Sequence, residues 1–71
     1  MSEDTLKQFL ISYIVDKLTG YLMEDRHVTL EQALDLIYSS RIYDLLQDKE
    51  ADLTADSPSY IYGLLTAELN G

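Results

Sequence analysis

Apolar residues between Thr5 and about Asp25 fall at Leu6, Phe9, Leu10, Tyr13, Ile14, Leu18, Tyr21 and Leu22. Spacing of three and four residues predicts a long amphipathic helix, with Ser2 or Asp4 placed to cap its start. A second row, Ile11, Val15, Leu18 and Leu22, widens the apolar arc. A helix apolar over so wide an arc has to be covered on more than one side. Gly20 interrupts the pattern at a cost of about 1 kcal/mol relative to Ala, which predicts either a close approach or a loosened last turn.

The next helix carries its own start signal. Thr29-Leu30-Glu31-Gln32 fits a capping box, with Val28 and Ala33 set for a hydrophobic staple. Leu30, Ala33, Leu34, Ile37 and Tyr38 form its stripe. Ser39-Ser40 divert backbone hydrogen bonds and predict a bend or break before a short third helix, Arg41 to about Gln47, with Ile42, Leu45 and Leu46 facing in. Residues 48–57 lack apolar periodicity and read as a loop anchored by Leu53. Ser57 or Asp56 as N-cap and Pro58 as first helical residue then open the last helix. Its stripe is Tyr60, Ile61, Leu64, Leu65 and Leu69. No stretch alternates like a strand. The expected fold is all-α: a compact bundle of three longer helices plus one short helix, a single domain over 1–71.

Chain length makes coverage a quantitative question. A 71-residue chain buries only about 60% of the surface its unfolded form exposes. Small scaffolds compensate with disulfides, metals, tight helix packing or oligomerisation. There is no cysteine, so packing and association remain. Three short stripes are too narrow to cover the first helix. The row Ile11, Val15 and Leu22 is therefore the expected face of a two-fold homodimer, since such an interface needs only one self-complementary patch.

Charge removes several classes of partner. Thirteen acidic residues against five basic ones give a net charge of −8. Phosphate backbones need clustered Lys and Arg, and anionic bilayers likewise, so neither nucleic acid nor membrane is an expected partner. The apolar run from Leu6 to Met23 is broken by Lys7, Gln8, Asp16 and Lys17, which does not suit a membrane span. An acidic start without a basic n-region does not read as a signal peptide. The expected location is cytoplasmic.

The inventory for chemistry is thin. His27 is the sole histidine; near a helix C-terminus it reads as an exposed residue favoured by the helix dipole. The loop Asp48, Glu50, Asp52, Thr54, Asp56 has carboxylates or hydroxyls where a calcium loop needs oxygens. However, Leu53 stands at the glycine position and Ser59 at that of the bidentate Glu. Asp56-Ser57 ahead of a helix is similar to the phosphopantetheine site of acyl and peptidyl carrier proteins. Their motif is Asp-Ser-Leu at the start of the second helix; here Pro58 replaces the Leu and only one helix follows. No catalytic group, metal or cofactor is expected, with a carrier or enzymatic role of Ser57 or the loop 48–56 as the alternative.

Contact is better provided for than catalysis. Tyrosine is enriched at interfaces because its ring is buried while its hydroxyl stays wet, and six occur here. Tyr13, Tyr38 and Tyr60 fall on the apolar stripes, whereas Tyr43 and Tyr62 lie off them. With Asp48, Glu50 and Asp52 they form the expected surface for a protein partner.

The string Ala33-Leu34, Tyr38-Ser39-Ser40, Tyr43-Asp44-Leu45-Leu46, Asp48-Lys49-Glu50, Leu53, Ser57-Pro58-Ser59-Tyr60-Ile61-Tyr62, Leu64-Leu65 and Glu68-Leu69 resembles short helical bacterial proteins of similar length and unknown function. The resemblance implies a small helical protein and carries no activity. Some similar families neighbour toxin-like genes, which implies an antitoxin-like accessory role as a further alternative.

Overall fold

The computed structural model describes the backbone of residues 3–71 and the side chains from residue 5 onward. The fold is all-α. Among the described residues four α-helices follow one another: α1 (Glu3–Arg26), α2 (Leu30–Tyr38), α3 (Arg41–Gln47) and α4 (Pro58–Asn70), with a 3₁₀ turn at Leu53–Ala55 before α4. At about 1.5 Å per residue, the 24 residues of α1 account for the long dimension of the 37 × 22 × 19 Å molecule. The other elements fold back along it. Asp4 lies within α1 rather than at its cap, and Ser2 lies outside the described residues.

Local signals set the boundaries. Thr29 accepts from the backbone N–H of Gln32 at 3.2 Å while the Gln32 side chain accepts from Thr29 N–H at 2.9 Å. Ser39 and Ser40 break the chain between α2 and α3. The Ser40 hydroxyl donates to Ile37 O at 2.6 Å and accepts from Tyr43 N–H at 3.2 Å, capping α3. Ser57 accepts from Tyr60 N–H at 3.3 Å, with Pro58 in the first turn of α4. Each cap satisfies a donor that a helix start leaves without an intrahelical partner.

The core runs along one side of α1. Ile11, Ile14, Val15, Leu18 and Leu22 pack with Ala33 and Ile37 of α2, Ile42 and Leu46 of α3, Leu53, and Ile61 and Leu65 of α4. Leu53 is the anchor of the acidic loop, as its isolation in a polar segment predicts. Thr19, buried in mid-helix, donates to Val15 O at 2.7 Å. Among the described residues no buried side-chain polar atom lacks a partner, as expected where an unpaired buried group costs about 1–3 kcal/mol.

Several stripe residues lie elsewhere than expected. Tyr13, Tyr38, Tyr60, Leu30 and Leu45 are exposed. Periodicity marks an apolar row but not whether a neighbour reaches its edge. At Gly20 a Cβ would meet no atom within 4 Å, and α1 continues unbroken past it to Arg26, so neither a close approach nor a loosened turn explains it.

Candidate interaction surface

The residues expected to form a dimer face are already occupied. Ile11, Val15 and Leu22 are 4%, 8% and 0% exposed, covered by the chain's own later helices. Their row and the Leu18 row are the inner side of α1. The uncovered apolar side is the opposite one: Leu6 is 54% exposed, Phe9 63%, Leu10 39% and Tyr13 55%. These four lie at i, i+3, i+4 and i+7, one face over the first turns of α1. Further along the same side come Asp16, Lys17, Gly20 and Glu24, all exposed. The Lys17 ammonium lies 5.7 Å from the Tyr13 ring centroid, a cation–π contact at the border between the apolar and polar stretches.

The two tyrosines expected off the stripes have different settings. Tyr62 is half-buried against the core. Its ring packs 5.1 Å from that of Tyr21, and its hydroxyl donates to Asp25 Oδ2 at 2.7 Å. Burial, then the hydrogen bond and negative charge of Asp25, raise its phenol above the ordinary value of 10.0, against a lowering by Arg26. Tyr62 therefore joins α4 to α1, and its hydroxyl is engaged within the chain. Tyr43 is also half-buried, but its ring meets Tyr38 edge-on, with centroids 4.9 Å apart and planes at 77°.

That tyrosine pair walls a groove of about 230 Å³ between α1 and the α2–α3 hairpin. Ile11, Val15 and Leu34 line it on the apolar side, with Gln8, Ser12 and Asp16 along α1. Gln8 and Ser12 also border a shallow hollow with Thr5 and Phe9, so the groove lies next to the bare face of α1.

The acidic loop does not gather its charges. Asp48 ends α3 and accepts from the Glu50 N–H at 2.9 Å, Asp52 adopts a left-handed backbone at φ 48°, and Asp56 closes the 3₁₀ turn. No group of three or more His, Cys, Asp or Glu side chains among the described residues is arranged to hold a metal ion. Ser57 works as a helix cap and lies 3.3 Å from the Ser59 hydroxyl. His27 is exposed and follows α1 in the left-handed region at φ 55°, its N–H bonded to Met23 O at 3.1 Å. That is the helix-ending position that glycine usually fills. No described helix is long and apolar enough to cross a membrane. No protein-family model matches the chain, and neither a curated protein nor a solved structure matches it.

Proposed function

We propose that this chain is a non-catalytic protein–protein interaction module that presents the outer face of α1 to a protein partner. One observation carries the reading: Leu6, Phe9, Leu10 and Tyr13 form an apolar face that the described residues leave exposed. Single exposed apolar residues are ordinary, but a contiguous patch of a few hundred Å² is the size at which surface patches become functional. The polar residues best suited to chemistry, His27 and Ser57, are accounted for by local backbone geometry, which favours contact over catalysis.

Two copies pairing through these four side chains alone would fall below the ~1,200 Å² typical of a stable interface. A lasting complex therefore extends beyond the patch, and a foreign partner suits it better than a bare α1–α1 dimer. A photoreactive phenylalanine analogue at position 9 tests this in cells. The expected result is a discrete protein adduct at position 9 and none with the same analogue at Glu24, further along the same side. Absence of an adduct at position 9, or an identical pattern at both positions, overturns the reading. Sedimentation equilibrium at tens of micromolar distinguishes a foreign partner from self: the expected mass stays near 8.1 kDa.

A further inference from the structure

We propose that the groove between α1 and the α2–α3 hairpin receives a cationic side chain, foremost an arginine, from the partner that covers the outer face of α1. This rests on the interaction reading and names the chemistry of the contact. The groove has three parts. Ile11 and Val15, nearly fully buried, and half-buried Leu34 leave a small apolar floor, Tyr38 and Tyr43 add an aromatic wall, and Gln8, Ser12 and the exposed carboxylate of Asp16 make the rest of the lining polar. Its volume of about 230 Å³ lies below the ~300–1,000 Å³ usual for small-molecule sites and suits one long side chain.

Charge selects the occupant. Asp16 is the one carboxylate lining the groove, and among the described residues it has no hydrogen-bond or ion-pair partner. The cation next to it in sequence, Lys17, is directed at the Tyr13 ring. An anionic group would meet Asp16 and the field of a chain carrying −8, whereas a neutral apolar one would desolvate the carboxylate without compensation. A long basic side chain answers all three parts: its methylenes cover the floor and its head meets both ring and carboxylate. Arginine is favoured over lysine because a planar guanidinium stacks on tyrosine and binds a carboxylate with two donors. Gln8 and Ser12 border both the groove and the hollow beside Phe9, so one partner reaches both.

Titration of the ¹⁵N-labelled protein with N-acetyl-arginine methylamide, followed by amide shifts, tests the proposal. The citrulline counterpart, similar in shape but uncharged, is the control. The expected result is shifts concentrated at Ile11–Asp16 and Leu34–Tyr43, saturable with the arginine probe and much smaller with citrulline. Asp16→Asn is expected to weaken binding about three-fold, the scale of an exposed charge pair. Tyr38→Ala is expected to do so by a similar factor, about two- to five-fold. Tyr38 is 52% exposed, and an unchanged thermal melt verifies that either variant keeps the fold.

Shifts as large in the 48–56 loop as in the groove, equal response to citrulline, or an Asp16→Asn variant that binds unchanged would each overturn the proposal. Groove signals that move with protein concentration alone would make a second copy the occupant and overturn it too. If arginine fails to bind while the adduct at position 9 persists, the groove is removed and the interaction reading stands. If arginine binds and the adduct is absent, the interaction reading fails instead.

Discussion

The two halves of α1 solve the same problem differently. Toward its C-terminus the helix is laced to the rest of the chain by polar contacts from distant positions. Tyr62 reaches Asp25 and the Arg26 guanidinium donates to Asn70 Oδ1 at 2.7 Å; beyond the helix itself, Glu68 of α4 accepts from Arg41 N–H at 2.9 and 3.1 Å, holding a carboxylate at the start of α3. The outer side of α1 there is polar apart from Met23, 39% exposed. Toward the N-terminus Lys7 Nζ donates to Gln47 O at 3.3 Å, and the outer side is apolar. An anion near a helix N-terminus and matched side-chain pairs favour one arrangement of helices. Apolar residues left outside such an arrangement add nothing to it, and they are free to serve contact with something else.

The sharpest way to break this comparison is a cavity on the inner side. Leu18 is fully buried and Ile14 nearly so. Leu18→Ala or Ile14→Ala should cost about 2–5 kcal/mol, transfer and cavity terms together. A domain of this size has only about 4–10 kcal/mol in total, so either variant should be largely unfolded by modest urea. A loss below 1 kcal/mol at both positions in urea melts would mean that α1 is not packed along this side. Leu34, half-buried at the groove, should give a smaller loss when cut to Ala.

The laced end gives the next effect. Tyr62→Phe removes the hydroxyl donated to Asp25 and should cost about 1 kcal/mol, a charged hydrogen bond discounted for its partly exposed setting. Its signature is in pH. A phenol raised above 10.0 keeps its proton longer when folded than when unfolded, so its stabilisation is whole below about pH 10 and is lost as pH rises through the folded value. The difference between wild type and Tyr62→Phe should shrink above pH 10 in urea melts taken across that range. A difference independent of pH would remove the Asp25 contact as its cause.

What the sequence makes legible, and what it does not, follows from the range of each interaction. Thr29, Ser40 and Ser57-Pro58 can be read because a cap bonds to residues two or three positions away and carries its partners with it. The acidic loop can be read because Leu53 is the lone apolar anchor in a polar segment. The two sides of α1 cannot be told apart in this way. Both are apolar at helical spacing, and only the packing of α2, α3 and α4 decides that Ile11, Val15 and Leu22 are covered while Leu6, Phe9, Leu10 and Tyr13 are bare. Tyr62 looks free in the sequence because its partner, Asp25, is 37 positions away, and the Tyr38–Tyr43 wall needs the turn at Ser39–Ser40 to bring the rings together.

A smaller effect, of opposite sign, comes from the polar half of α1. Gly20 is exposed in mid-helix and an added Cβ would meet nothing within 4 Å. Gly20→Ala removes backbone freedom from the unfolded chain and should stabilise by about 0.5–1 kcal/mol, read as a higher urea midpoint. A destabilised variant would mean that something approaches this side of α1 more closely than the chain itself does.

The smallest effect is the one that decides the comparison. Phe9→Ser replaces an aromatic ring on the bare face, and Phe and Ser have similar helix propensities, so the backbone term nearly cancels. The ring is 63% exposed, and most of its area meets water in both the folded and unfolded states. Folding therefore gains little from it, and the unfolding free energy from urea melts at low protein concentration should change by no more than about 0.5 kcal/mol, as for ordinary surface positions. A loss of about 2 kcal/mol or more would mean that the outer face is covered. If that loss grew with protein concentration, the cover would be a second copy, since only association makes stability depend on mass action. If it did not, the two halves of α1 would both be structural, and the contact surface would have to lie elsewhere.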